Sequence, residues 1–255
     1  MKNILDVQGL NKTYTIGKTN HQDVLVNVDM QVGDGEFVSV MGPSGSGKST
    51  LLYNISGMDV PTSGTVIFQG EKMGELSEAE LAERRLGDMG FVFQNMYLLS
   101  NLNVFDNIVL PGYTLKKETR QTINDRAKQL MHHTGISELE NNDITQASGG
   151  QLQRVGICRA LINQPSIVFG DEPTGALNSN FAEEVMDVLG GLNRNGTTIL
   201  LVTHDPSVAS RTERVLYMSD GKIGGEFNLG TFVPEEENVH DREKKLTAWL
   251  EKRGF

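Results

Sequence analysis

The sequence predicts an α/β fold: a mostly parallel sheet flanked by helices, with a strand-rich N-terminal part and a helical insertion. Three observations predict it. A glycine-rich loop lies between an apolar strand and a helix near residue 45. Residues from about 95 to 165 carry helical periodicity while strand signals nearly vanish. Beyond residue 165, short apolar runs alternate with helical stretches. Strands alternating with helices are covered on both faces and pair in parallel, so they read as continuous apolar runs. At 255 residues, with 38% hydrophobic and 22% charged side chains, the chain can bury a sizeable core and is too apolar to be disordered.

The elements follow in order. Residues 4–10, 24–32 and 37–41 are rich in Val, Ile and Leu, and Gly33-Asp34-Gly35 is a turn signal between the last two. A helix is expected from residue 48 to about 56. Pro61-Thr62-Ser63-Gly64 turns into a strand at 65–69. Ser77 followed by Glu80 makes a capping box at a helix start, and 90–93 is a further strand. Helices are expected at 106–110, 116–133 and 149–162, then strand 166–170, helix 182–192, strand 198–202, a helix near Ser207 and strand 215–218. From 235 to 253 the chain is strongly charged, and Leu246, Trp249 and Leu250 give a narrow apolar stripe on a helix. The stripe is expected to dock on its own domain, a partner-binding helix being the other reading.

Charge and cysteine usage exclude several classes. With 33 acidic and 23 basic residues the formal net charge is −10, which argues against a general affinity for nucleic acid. One cysteine, Cys158, excludes an intramolecular disulfide framework and a cysteine-built metal site, and suits a reducing compartment. Cys158 is expected to be a packed core thiol. No run approaches the ~18–20 apolar residues that span a bilayer, and the segment starting Met1-Lys2-Asn3 turns polar too soon for a secretory signal. A membrane connection is therefore expected to go through a partner.

Gly42-Pro43-Ser44-Gly45-Ser46-Gly47-Lys48-Ser49 fits G-x-x-x-x-G-K-[ST] in full, in the strand–loop–helix context the motif requires. This is the phosphate loop of a P-loop NTPase. Its glycines let backbone N–H groups turn inward around phosphate oxygens, and the helix start adds its positive dipole end. Lys48 is expected to reach the β- and γ-phosphates of ATP, and the Ser49 hydroxyl to ligate Mg²⁺. The strand at 166–170 runs into Asp171 and Glu172. In a parallel sheet, sites form beyond the carboxyl ends of strands, which puts Asp171 near the metal and Glu172 where it can accept a proton from the attacking water. Ser148 caps a helix that opens with Gly149 and Gly150, leaving a bare helix end open either as an ordinary cap or as a second anion site.

Five motifs stand in order: the phosphate loop, Phe91-Val92-Phe93-Gln94, Ala147-Ser148-Gly149-Gly150-Gln151, Asp171-Glu172-Pro173-Thr174 and Thr203-His204-Asp205. Together they resemble the nucleotide-binding subunit of an ATP-binding-cassette (ABC) transporter over roughly residues 2–225. The resemblance implies an N-terminal antiparallel β part, an ATPase domain over 1–230 with the helical subdomain inserted at about 95–165, and a charged tail at 231–255. It also implies a head-to-tail dimer that sandwiches two ATP molecules. In such a dimer Ser148, Gly149, Gly150 and Gln151 of one subunit cap the γ-phosphate held by residues 42–50 of the other, Thr50 included. By the same resemblance, Tyr14 stacks on adenine, Gln94 senses Mg²⁺ and the attacking water, and His204 contacts the γ-phosphate and positions Glu172. The segment 97–113 becomes part of a permease-facing surface. His132 and His133 match no such motif and read as a solvated helix face.

Three positions depart from the family pattern: Ala147 for Leu, Gly170 for Ala, and Asn178 for the Asp of the loop that touches the opposite subunit. Asn keeps acceptor capacity but loses charge, which bears on communication between the two sites. The motifs look most like the branch of macrolide-export, lipoprotein-release and bacitracin-resistance-type ATPases, with Asn178 and the charged tail closer to the antimicrobial-peptide type. The implied function is an ATPase subunit that powers a separate integral membrane permease, for export or displacement of antimicrobial peptides, drugs or lipoproteins. It would sit on the cytoplasmic side of the cell membrane, attached through that permease. The alternative is an ATPase regulator of a cell-division-like membrane complex that gates a wall hydrolase without moving cargo.

Overall fold

The computed structural model describes residues 2–17, 20–234 and 237–255. Met1 at the head of the N-terminal segment and Glu235-Glu236 in the charged tail, both read above, lie outside the described residues.

Two sheets organise the chain. Strands β1 (Asn3–Ile16), β2 (Asn20–Gly33), β4 (Ser63–Phe68) and β5 (Glu71–Lys72) form an antiparallel sheet in the order β2-β1-β4-β5. The larger sheet runs β10-β9-β3-β8-β7-β6, from β3 (Phe37–Met41), β6 (Met89–Phe93), β7 (Ile167–Asp171), β8 (Thr198–Thr203), β9 (Arg214–Ser219) and β10 (Lys222–Asn228). All its pairs are parallel except β10 with β9. The short β5 and the edge strand β10 have no counterpart in the sequence reading. β10 reads Lys222-Ile223-Gly224-Gly225-Glu226-Phe227-Asn228, and its glycines and solvent-facing polar residues weaken the strand signal.

The period-2 alternation of the parallel strands divides the core. Val38, Val40, Ile167, Phe169, Leu200, Val202, Leu216 and Met218 face the small sheet, α1 (Lys48–Ile55) and α2 (Glu78–Gly87). Phe37, Val168, Ile199 and Leu201 face the opposite way, toward α5 (Gly149–Leu161), α6 (Ser179–Arg194) and α7 (Pro206–Ala209). The helical subdomain, α3 (Val104–Leu115), α4 (Arg120–His133) and α5, has its own core of Val104, Ile108, Ile123, Met131, Val155 and Cys158. Cys158 is fully buried, and burial pushes its thiol up to about 12. His132 and His133 face solvent.

The largest helix-boundary differences from expectation fall between α3 and α4. α3 continues through Pro111 to Leu115, and α4 starts at Arg120. Proline removes one backbone donor, but only one turn follows it here, and the helix ends where Lys116 turns left-handed at φ 57°.

The apolar stripe of the tail belongs to α8 (Val239–Glu251). Leu246 and Leu250 are fully buried against Met41, Ala209, Val215 and Tyr217. Trp249 stacks on Phe227 at 5.3 Å. Arg242, 3% exposed, donates to the backbone carbonyls of Ser210, Thr212, Leu229 and Gly230 and to the Glu237 carboxylate. The tail thus closes over the residue that precedes the phosphate loop. Arg242→Ala strands those carbonyls and is expected to lower unfolding stability by about 3 kcal/mol. Urea unfolding followed by fluorescence of Trp249, the one tryptophan in the chain, measures it.

A candidate nucleotide site at the carboxyl ends of the strands

Register builds the site. Met41 pairs with Thr203, Asp171 with Val202, and Phe93 with Asp171. Four neighbouring strands therefore end almost level, and the next residues, Gly42, His204, Glu172 and Gln94, emerge on one edge. Backbone bonds tie that edge together: Gln94 N–H donates to Asp171 C=O at 2.9 Å, and Glu172 N–H to Val202 C=O at 3.0 Å.

The loop from Gly42 to Gly47 wraps the start of α1. A Cβ on Gly42 would lie 1.9 Å from the Met218 carbonyl oxygen. Gly47 sits at φ +102°, where its missing Cβ would meet the Val24 carbonyl at 2.8 Å. Only glycine fits both positions. Pro43, Ser44 and Gly45 form the exposed crest. Ser46 Oγ is buried with no partner, and a phosphate oxygen would satisfy it. Lys48 Nζ donates to the carbonyls of Gly42 (2.8 Å) and Pro43 (2.9 Å), leaving a third proton. Burial pulls the Lys48 ammonium below its ordinary range, and Glu172 and Asp171 pull the other way.

The carboxylates meet the loop directly. Ser49 Oγ donates to Asp171 Oδ1 at 2.8 Å. His204 Nδ1 lies 2.9 Å from Glu172 Oε1 and donates to it. Glu172 occupies the left-handed region at φ 46°, a conformation non-glycine residues rarely adopt. A Cβ on Gly175 would stand 2.9 Å from Gln94 Nε2 and 3.2 Å from Glu172 Oε2, so both side chains converge over it. The Ser49 hydroxyl, the Asp171 carboxylate and the Gln94 amide are hard oxygen donors that suit Mg²⁺. Among the described residues no cluster of three His, Cys, Asp or Glu could hold a metal.

Tyr14, on β1, is 38% exposed. Its hydroxyl donates to Asp59 Oδ2 at 2.7 Å, and Lys12 Nζ sits 4.8 Å from its ring centre while donating to Asp59 Oδ1. Burial and then Asp59 hold the phenol above its ordinary range, with Thr50 pulling the other way. The Ser148–Gln151 segment stands apart. Ser148 Oγ accepts from Gln151 N–H and Gln151 Oε1 accepts from Ser148 N–H, a complete capping box. Among the described residues no hydrogen bond or ion pair joins it to residues 42–50. Gly149 and Gly150 instead pack beside Leu177 and Phe181. Of the departures, Gly170 lies tight against Leu201 and Pro173, and Asn178 Oδ1 caps α6 by accepting from Phe181 N–H at 3.1 Å.

The sequence reading passed over Tyr53, whose hydroxyl donates to Asp171 Oδ2 at 2.6 Å. It stands four residues after Ser49 on α1, and that i, i+4 spacing was the available signal. Burial and then Asp171 push its phenol well above the ordinary range. Lys12 and Asp59 were passed over too, because 47 residues separate them in the chain.

A phosphate loop, an Asp-Glu strand end and a histidine on the glutamate define a nucleoside-triphosphate hydrolase of the P-loop class. The chain matches the ABC transporter family over residues 25–175, and it belongs to that family. It is 40% identical over 226 residues to the lipoprotein-releasing system ATP-binding protein LolD 1 of Rhodopseudomonas palustris, covering 88% of this chain and 100% of that protein. It is similar to the dimeric structure of MJ0796, a bacterial ABC transporter cassette, with TM-score 0.82 and 39% identity over 89% of this chain and 100% of that one. A post-hydrolysis dimer of MJ0796 bound to ADP and Pi aligns with the same TM-score at 38% identity, again over 89% and 100%. CbiO1 of Clostridium perfringens, part of the ABC transporter complex cbiONQ, aligns with TM-score 0.80 at 29% identity over 90% of each chain. This protein is an ABC-type ATPase.

Gly175→Ala inserts a methyl group between Gln94 and Glu172. It is expected to cut ATP turnover between about tenfold and a hundredfold while leaving nucleotide affinity within about twofold, read by steady-state kinetics and equilibrium binding.

Proposed function

We propose that this chain hydrolyses MgATP in a head-to-tail dimer and so powers a separate integral membrane permease for export or displacement of lipoproteins, antimicrobial peptides or drugs. The observation that carries the reading is the convergence of Lys48, Ser49, Asp171, Glu172, Gln94 and His204 on one sheet edge. Lys48 turns its third proton to the β- and γ-phosphates, and backbone N–H groups of residues 44, 45 and 47–49 with the α1 dipole hold the remaining negative charge. Mg²⁺, held by Ser49, Asp171 and Gln94, would supply neutralisation of charge on the phosphate oxygens. Glu172 accepts the proton of the attacking water, with the His204 Nδ1–H bond fixing its carboxylate. Tyr14 offers adenine an aromatic face fixed through Asp59 and Lys12.

The capped helix start at Ser148, Gly149, Gly150 and Gln151 serves the other subunit's γ-phosphate, which agrees with its separation from this chain's own loop. The dimeric cassettes among the similar structures support that arrangement. A capped Asn178 keeps the α6 start ordered but brings no charge to the opposite site. No described helix is long and apolar enough to cross a membrane, so work on a membrane substrate needs the permease. Similarity to a lipoprotein-releasing ATP-binding protein and to a member of a transporter complex favours transport over the wall-hydrolase regulator.

Glu172→Gln is expected to bind MgATP with near-normal affinity and to lose turnover by about a hundredfold or more, measured as phosphate release. Tagged protein recovered from its native membrane is expected to bring a permease with a large extracytoplasmic domain, identified by mass spectrometry. Recovery with a division-type membrane protein and a wall hydrolase instead would move the assignment to the regulator.

A further inference from the structure

Asp171 is gripped at both oxygens by one helix. Ser49 donates to Oδ1 at 2.8 Å, and Tyr53, one turn later on α1, donates to Oδ2 at 2.6 Å. The two donors are not equivalent. The Ser49 oxygen is a candidate cation ligand, so its bond to Asp171 must loosen or be bridged when a cation arrives. Tyr53 has no such second task. Its ring packs half-buried against the large core cluster, which fixes where the hydroxyl can stand, and a phenylalanine would supply the same packing without the hydroxyl. The hydroxyl therefore has a polar purpose, and among the described residues its one side-chain partner is the carboxylate that ends β7.

We infer that Tyr53 is a positioning residue for the cation site: its hydroxyl holds Asp171 Oδ2, so that Oδ1 alone is presented to the space beside Ser49. A carboxylate free to rotate about its Cβ–Cγ bond would present either oxygen, or both, and would have to be ordered each time a cation bound. The Tyr53 bond removes that freedom beforehand. Outer-sphere donors of this kind characteristically tune metal affinity rather than contact the metal. The inference rests on the reading of Asp171 and Ser49 as cation-binding groups, and it adds a residue outside the five sequence motifs.

The test compares ADP binding to the full chain by isothermal titration calorimetry, in EDTA and in saturating Mg²⁺, for wild type, Tyr53→Phe and Tyr53→Leu. The ratio of the two affinities measures coupling between cation and nucleotide. Tyr53→Phe is expected to lose about tenfold of that ratio while its affinity in EDTA stays within about twofold of wild type, a split that general loosening of the fold would not give. Tyr53→Leu is expected to lose at least as much. If Tyr53→Phe keeps the wild-type ratio within twofold, the inference fails, and it fails equally if only Tyr53→Leu changes, since the ring and not the hydroxyl would then matter. A wild-type chain that binds ADP equally well with and without Mg²⁺ overturns the cation reading of Ser49 and Asp171 together with the inference.

Discussion

The level ending of β3, β8, β7 and β6 is the constraint on which the site depends. None of Gly42, His204, Glu172 and Gln94 is near another in sequence, yet parallel register delivers all four to one edge. A one-residue slip in any of these pairs would turn its side chains to the other face and misplace the group that follows. The register is held because both faces of the sheet are buried: alternate residues of each strand enter different cores, so a slip would bring polar or mismatched side chains into both. Stability of the sheet and geometry of the chemistry are in this sense one property.

Much of this was legible from the residues. Apolar runs bounded by turns give β3, β7 and β8 almost to the residue, because strands buried on both faces must be continuously apolar. The phosphate loop is legible because its backbone needs glycine at fixed places and its chemistry needs Lys48. Gln94, His204 and Tyr14 were reached only through the resemblance, since nothing local distinguishes His204 from His132. Tyr53, Asp59 and Lys12 escaped because their partners are far apart in the chain and tyrosine on an amphipathic helix ordinarily means packing. β10 escaped because a glycine pair and an exposed edge erase the alternation that marks a strand.

The motif residues also divide between two packing units. Lys48, Ser49, Asp171 and Glu172 are fixed by the two-sheet body, whereas Ser148–Gln151 rides on the helical subdomain, which has a separate core. Gln94 and Gln153 lie at the seam, and Gln153 Nε2 donates to the Phe93 carbonyl at 3.1 Å. The seam is not only polar: Ile157 and Leu161 of α5 also pack into the core of the large sheet, so the subdomain is joined to the body by apolar contact as well as by these bonds. The tail helix α8 adds apolar cover and a many-bonded arginine to the side of the sheet behind the phosphate loop.

The backbone of Glu172 carries a consequence of its own. Left-handed geometry at a residue with a side chain costs on the order of 1 kcal/mol, and glycine would relieve it at once. The position is thus one where thermodynamic comfort and chemistry pull apart: substitutions that make the protein sturdier are those that disarm it. Selection for heat tolerance alone, blind to turnover, would favour glycine at this position.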